Sequence, residues 1–273
     1  MKKFIFIALA ALFSQNLAAQ GSRFIYEARM KPYAGGAPVT ERVYLDVDSG
    51  KSVFYGENRV KRDSLMQRMR DTRNFQPGQM ENFRSVVDYI IEKDLRTAQI
   101  TYRGQIGRDQ YQYTEDRTID WQMSSETLKI GEYNAQKAET DFVGRKWTAW
   151  FSADVPFPDG PYKFSGLPGL ILKIEDESGD YSFDLREVKQ IPEVKTFGIR
   201  SNLIKLKRKD YEKQMDAYRK DPAAFMRSRG SGRTGGPAGG GRGGFQPDPQ
   251  RMKEMESRMK EMVARDNNPI EKQ

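Results

Sequence analysis

The 273-residue chain reads as mainly β (α+β): a strongly curved antiparallel sheet or half-barrel with one or two covering helices, then a glycine-rich linker and a C-terminal helix. Three observations predict this. Short runs of alternating apolar and polar residues recur from Arg23 to Gln190, and Gly, Ser and Asp turn signals separate them. Within that span only residues 60–70 show helical spacing. After Lys205 the composition changes to charged helical sequence and then to glycine. About ten short strands with one apolar face must curl around it or split into two packed sheets, so a β-sandwich is the alternative.

Taken in order, Lys2 and Lys3 precede the apolar run Phe4 to Phe13 and the small-residue end Leu17-Ala18-Ala19. This is the pattern of a cleavable signal peptide over residues 1–19, with Gln20 left first, and it predicts a periplasmic or secreted protein. The apolar stretch falls short of the roughly 20 residues a membrane span needs, and no later segment approaches that length.

Residues 20–228 form the expected β-rich domain with a docked helix. Arg23 to Arg29 alternates, and Val43 to Asp48 and Lys51 to Glu57 flank a hairpin turn at Ser49-Gly50. Leu65, Met66 and Met69 give a weak apolar stripe for a covering helix. Further strands follow between Val87 and Asp116, around Val143-Gly144, and on either side of Ser178-Gly179-Asp180. Leu206, Tyr211, Met215 and Tyr218 mark a second covering helix, broken at Asp221-Pro222. Residues 229–247 form a Gly/Arg-rich linker with nine of the 24 glycines between Arg229 and Phe245; too little apolar surface is present to offset ordering entropy, so a flexible coil is expected. Residues 248–273 are a Met-rich amphipathic helix and tail.

The net charge of +8 is unevenly placed. Residues 205–273 hold 17 basic against 10 acidic side chains, and Lys2 and Lys3 add two more; removing +7 and +2 leaves the body at −1. Such a body has no electrostatic reason to seek nucleic acid.

The densest signal lies between Asp159 and Glu175. Pro156, Pro158 and Pro161 hold the chain extended, and Leu167-Pro168-Gly169-Leu170 has the chemistry of a type II turn, with Gly169 supplying the positive φ. Leu170, Ile171, Leu172 and Ile174 then enter a buried strand, while Tyr162, Lys163 and Phe164 look exposed between two rigid devices, which make either a structural corner that fixes strand register or a rigid recognition loop. Gly166 to Ile171 spells GLPGLI, and on this motif, the block Gly144 to Phe164 and the terminal Asn268-Pro269-Ile270-Glu271, the chain resembles the GLPGLI family of exported Bacteroidota proteins. That resemblance implies a largely unassigned activity at the cell envelope. Members often carry a cysteine before the tryptophan block, where this chain has Asn134, Ala135 and Gln136.

The catalytic inventory is informative for its gaps. With no His and no Cys, imidazole bases, thiolate nucleophiles and the common zinc ligands are unavailable. Carboxylates such as Asp154, Asp159, Glu175 and Asp176 remain, but no spacing selects a pair for glycosidase-like work. Aromatic side chains are the better binding currency, so Trp147, Trp150, Tyr162, Lys163, Phe164 and Leu167 are the ligand or partner candidates. Gly166, Pro168, Gly169, Leu170 and Ile171 are the structural motif. Strand parity puts Trp147, Ala149 and Phe151 on one face and Trp150 on the other. Met252, Met255, Met259 and Met262 share one side of a helix, either as a packing stripe or as soft ligands for Cu(I).

The sequence thus points to an exported, non-catalytic binding or interaction protein without a cofactor. Its partner would be an envelope protein or a small hydrophobic ligand, met by the curved sheet or the proline-glycine loop. A carboxylate-dependent hydrolase and a Cu(I)-binding protein are the alternatives.

Overall fold

A computed structural model describes residues 21–74, 78, 83–199, 202–230 and 249–272; the expected signal peptide over residues 1–19 and residues 231–247 of the expected linker lie outside the described residues. Six strands come first: β1 (Gly21–Met30), β2 (Val39–Val47), β3 (Lys51–Gly56), β4 (Ile90–Asp94), β5 (Gln99–Ile106) and β6 (Asp109–Thr114), with helix α1 (Glu57–Thr72) between β3 and β4. Five more follow as β7 (Gln122–Ile130), β8 (Tyr133–Phe142), β9 (Arg145–Ser152), β10 (Leu170–Asp176) and β11 (Tyr181–Ile191). The two-residue strand β12 (Ile204–Lys205) leads to α2 (Arg208–Lys220), α3 (Pro222–Gly230) and α4 (Pro249–Arg265).

All twelve strands form one open sheet in the order β12-β6-β5-β4-β3-β2-β1-β11-β10-β9-β8-β7. Two antiparallel meanders are joined where β1 pairs with both β2 and β11, and among the described residues only β12 runs parallel to its neighbour. The mainly β expectation holds, and the sheet is open. Two strands beyond the expected ten are β7 and β12. Strand β7 escapes pattern reading because it is an edge strand whose residues are mostly exposed, so no apolar face is written into its sequence. Strand β12 is two residues long.

Register explains the core. Phe24, Leu45, Phe54, Ile91, Tyr102 and Tyr113 stand opposite one another across six successive strands, making one apolar row on one face of the sheet. That row ends in tyrosines beneath α2, where Tyr211 is buried and Met215 and Tyr218 pack beside it. Asp221 caps α3 by accepting from the Ala224 amide at 3.0 Å, with Pro222 at its first position.

The inner helix expected at residues 60–70 is in place as α1 but on the other face. There Val60 packs against the cluster of Val53, Tyr55, Ile90 and Val194, and Met69 is the helix's one buried residue while Met66 is exposed. Polar ties hold α1 down: Glu57 accepts from the Tyr44 hydroxyl, and Arg59 pairs with Asp88 at 3.0 Å. The loop after β9 already fills the opposite face, with Tyr162, Phe164 and Leu167 inside the main core, which explains why α1 is not needed there.

That loop is fixed from below. Lys93 on β4 is 2% exposed, and its ammonium donates to Asp159 Oδ1 at 2.5 Å and to the carbonyls of Gly160 and Phe164 at 2.8 Å each. Burial pushes the Lys93 amine below its ordinary range despite the Asp159 charge. The Pro168 turn is tighter than expected. The Gly169 amide bonds to the Leu167 carbonyl at 2.8 Å, and the Leu170 amide reaches across to Val155 at 3.1 Å instead of closing a type II turn. Gly169 does take positive φ (151°), and a Cβ there would stand 2.1 Å from the Ser152 carbonyl oxygen.

Candidate functional site

The tyrosine end of the cross-strand row builds a cavity. Tyr102 stacks on Tyr113 at 4.9 Å and on Tyr89 at 5.5 Å between centroids. Tyr211 leans over from α2 at 5.4 Å from Tyr102, and Tyr162 meets Tyr89 edge-on at 5.7 Å. These five rings line a pocket of about 540 Å³, within the usual size of small-molecule sites. Its rim is basic: Arg117, Arg208, Lys209, Lys213 and Arg219 surround it, against Glu212 and Asp216 on α2. Residues 269–272 close the remaining side. Burial raises the phenols of Tyr89, Tyr102, Tyr113 and Tyr162 well above the ordinary range and that of Tyr211 to about 12, so the rings are neutral donors at physiological pH.

Below the tyrosines lies a fully buried lysine. Lys163 donates to the Tyr113 hydroxyl at 2.7 Å, to Glu115 Oε2 at 2.5 Å and to Glu271, and its ammonium sits 5.0 Å from the Tyr113 centroid. Arg117 forms a second bridge, holding Glu115 at 2.7 Å and Glu271 at 3.0 Å. Burial alone would raise the Glu115 carboxyl; the Arg117 hydrogen bond and the Lys163 charge outweigh it and hold the group at about 2. Glu271 is likewise held below its ordinary range by Lys163 and Arg117, against the burial that would raise it. Both acids are therefore anions locked by cations, suited to fixing structure and poorly suited to donating a proton.

The sequence-selected residues separate clearly here. Tyr162, Lys163 and Phe164, which look exposed in the sequence, and the binding candidate Leu167 are each at most 1% exposed, as a structural corner requires and a recognition loop does not. The physical reason is that the loop folds back onto the sheet, where Phe164 meets Trp147 at 4.7 Å and Lys163 finds its carboxylates. Of this set only Tyr162 reaches the pocket wall. Trp147 is core, sharing its face with Ala149 and Phe151 as strand parity predicts, and its indole N–H donates to the Phe142 carbonyl at 3.1 Å. Trp150 lies on the opposite face, half-buried, beside Lys137 and Lys173. Gly166, Pro168, Gly169, Leu170 and Ile171 form the turn and strand entry, with Leu170 and Ile171 buried.

The carboxylates are dispersed. Asp159 belongs to Lys93, Asp176 to Arg145 at 2.6 Å, Glu175 to Lys173 at 2.9 Å, and Asp154 accepts from the Asn134 amide. On α4, Met255 is exposed and Met259 partly buried, and the side chains of Met252 and Met262 lie outside the described ones. Sequence reading missed Tyr89, Tyr102, Tyr113 and Tyr211 as a group. The available signal was tyrosine at matching positions of neighbouring strands, which becomes visible only once register is known.

Among known proteins, a family model described as "Protein of unknown function (Porph_ging)" matches residues 142–173, the segment from the end of β8 to the middle of β10. No curated protein matches the chain. Among solved structures, PNGF-II in space group P21 superposes with a TM-score of 0.51 at 16% identity, covering 71% of this chain and 33% of that one. PNGF-II in space group C2 gives 0.48 at 17% identity over 71% and 32%. The chain thus spans about a third of the length of PNGF-II, and at this identity the likeness describes the fold alone. Among the described residues no helix is long and apolar enough to cross a membrane.

Proposed function

We propose that this chain is an exported, non-catalytic binding protein of the cell envelope, related to the GLPGLI family, and that its contact site is the tyrosine pocket under α2. The observation that carries this reading is five tyrosine rings under a basic rim, with the adjacent buried acids already neutralised. Flat aromatic walls favour an apolar or aromatic body, and the rim favours an anionic group on it. The ligand class is therefore a small aromatic or apolar anion. Proline-loop recognition is set aside, because that loop is inside the core.

A hydrolase reading requires one carboxyl kept protonated beside another that is ionised. Glu115 and Glu271 are instead both held as anions by the same two cations. Binding without chemistry accounts for the arrangement more simply.

The test uses anilinonaphthalene sulfonate, an aromatic anion whose fluorescence rises in apolar sites. Saturable one-site binding to the folded protein is expected, weakened about tenfold, or roughly 1.4 kcal/mol, by Tyr211→Ala. Lys213→Glu reverses a rim charge at a residue 76% exposed, so it should weaken binding without touching the fold. Probe binding that is absent, or indifferent to both substitutions, would overturn the reading.

A further inference from the structure

The chain's last residues are received by the body as a specific ligand would be. Asn268 uses both ends of its amide: Nδ2 donates to the Lys31 carbonyl at 2.7 Å, and Oδ1 accepts from Arg145 at 2.6 Å. An aspartate there would place an anionic oxygen against the Lys31 carbonyl and lose the donor. The Asn268 backbone is held as well, its N–H bonding to the Pro32 carbonyl at 2.9 Å and its carbonyl accepting from the Tyr181 hydroxyl at 2.6 Å. Arg145 then follows the chain, donating to the Pro269 carbonyl at 2.8 Å and the Ile270 carbonyl at 3.1 Å while its other amine stays on Asp176. Ile270 packs on the main core. Glu271 ends the motif on Lys163, Arg117 and the Tyr162 hydroxyl, and the Lys272 amide bonds to the Val143 carbonyl at 2.8 Å.

Side chain, backbone and charge are all read over four residues, which is how extended peptides are captured. We propose that this cleft is a peptide-acceptor site for an Asn-Pro-aliphatic-Glu segment, and that besides its own tail it takes the tail of a second copy of this chain. The second copy carries the same code. Nineteen peptide steps separate Gly230 from Pro249, which at about 3.3 Å per residue permits a reach of up to about 60 Å, enough to pass between neighbouring molecules. At low concentration the tethered tail wins through its effective concentration, which is of millimolar order for short tethers. Exchange between copies is then favoured at high protein concentration. Residues 269–272 also form one wall of the tyrosine pocket, but Arg145, Tyr181 and Lys31, which hold Asn268, do not line it, so displacement of the tail is read without any pocket ligand.

The experiment inserts a protease site between Gly230 and Pro249 of the full chain and cuts it after folding. The released piece should co-elute with the body in size exclusion, and excess synthetic peptide Asp266–Lys272 should displace it. The same peptide carrying Asn268→Ala or Glu271→Gln should need at least tenfold more. Loss of the piece on cutting alone, or equal displacement by the altered peptides, overturns the acceptor site. A second arm leaves the chain uncut: full-length Asn268→Ala, whose own tail is weakened, should take up fluorescent wild-type peptide at least tenfold more than wild type does, and no gain in uptake overturns the proposal. Two differently tagged wild-type copies mixed at high concentration should form cross-linkable dimers that excess peptide dissolves. Dimers that are absent, or insensitive to the peptide, refute exchange between copies.

Discussion

Replacing Lys93 with Met isolates the device that holds the proline loop on the sheet. The substitution keeps most of the side-chain volume and removes the charge, leaving Asp159 as a carboxylate that is 0% exposed and without its cation. Its other oxygen, Oδ2, meets no hydrogen-bond partner among the described residues, so the lost ammonium is not replaced from that side. The Gly160 and Phe164 carbonyls also lose their lysine donor. Removing one partner of a buried ion pair costs about 3–5 kcal/mol, mostly from the stranded charge. For a domain of this size each kcal/mol lowers the melting temperature by about 2–4 °C, so a drop of roughly 6–20 °C is expected in calorimetry. The double variant Lys93→Met with Asp159→Leu removes both charges and should recover most of the loss, since apolar replacement of a buried pair is often neutral. A single variant that melts within about 2 °C of wild type would refute the account, as would a double variant less stable than the single.

Two further outcomes follow from the same core. Gly169→Val should destabilise by more than the 1–3 kcal/mol typical of a strained backbone position, because a Cβ at 2.1 Å from the Ser152 carbonyl must also push β9 and the turn apart; an unchanged urea midpoint would contradict this. Acid stability should follow Glu115: its folded-state pKa of about 2 lies below its ordinary 4.5, so its contribution is fully present above about pH 4.5 and is lost as pH falls toward 2. That shift corresponds to roughly 3 kcal/mol, with Glu271 acting in the same direction, and urea midpoints taken from pH 6 down to pH 2.5 should be level at first and then fall. Stability independent of pH across that range would remove the Lys163 cluster from the ledger of folding.

Much of the fold was legible because strands write a period of two into the chain wherever one face is buried. Arg23 to Arg29, the Ser49-Gly50 hairpin and the strand after GLPGLI were all readable this way, and so was the inward parity of Trp147 and Phe151. The sequence likewise placed the break at Asp221-Pro222, since proline cannot continue the preceding helix, and it excluded imidazole and thiol chemistry outright. An edge strand such as β7 leaves no such signature, because neither of its faces needs to be apolar.

The site itself was decided by tertiary structure. Lys163 reads as a surface residue beside prolines, and only the return of the loop onto β6 brings it to Glu115, 48 positions away, and to Glu271, 108 away. Tyr102 and Tyr113 become neighbours through register, and Tyr211 joins them because α2 covers that end of the row. The sequence leaves open whether the tail folds back onto the body, and Asn268 is buried and bonded to Arg145 across 123 residues. Local pattern records which residues must leave water. It does not record which distant charge will meet them there, because a buried ion pair depends on chain return and carries no periodicity of its own.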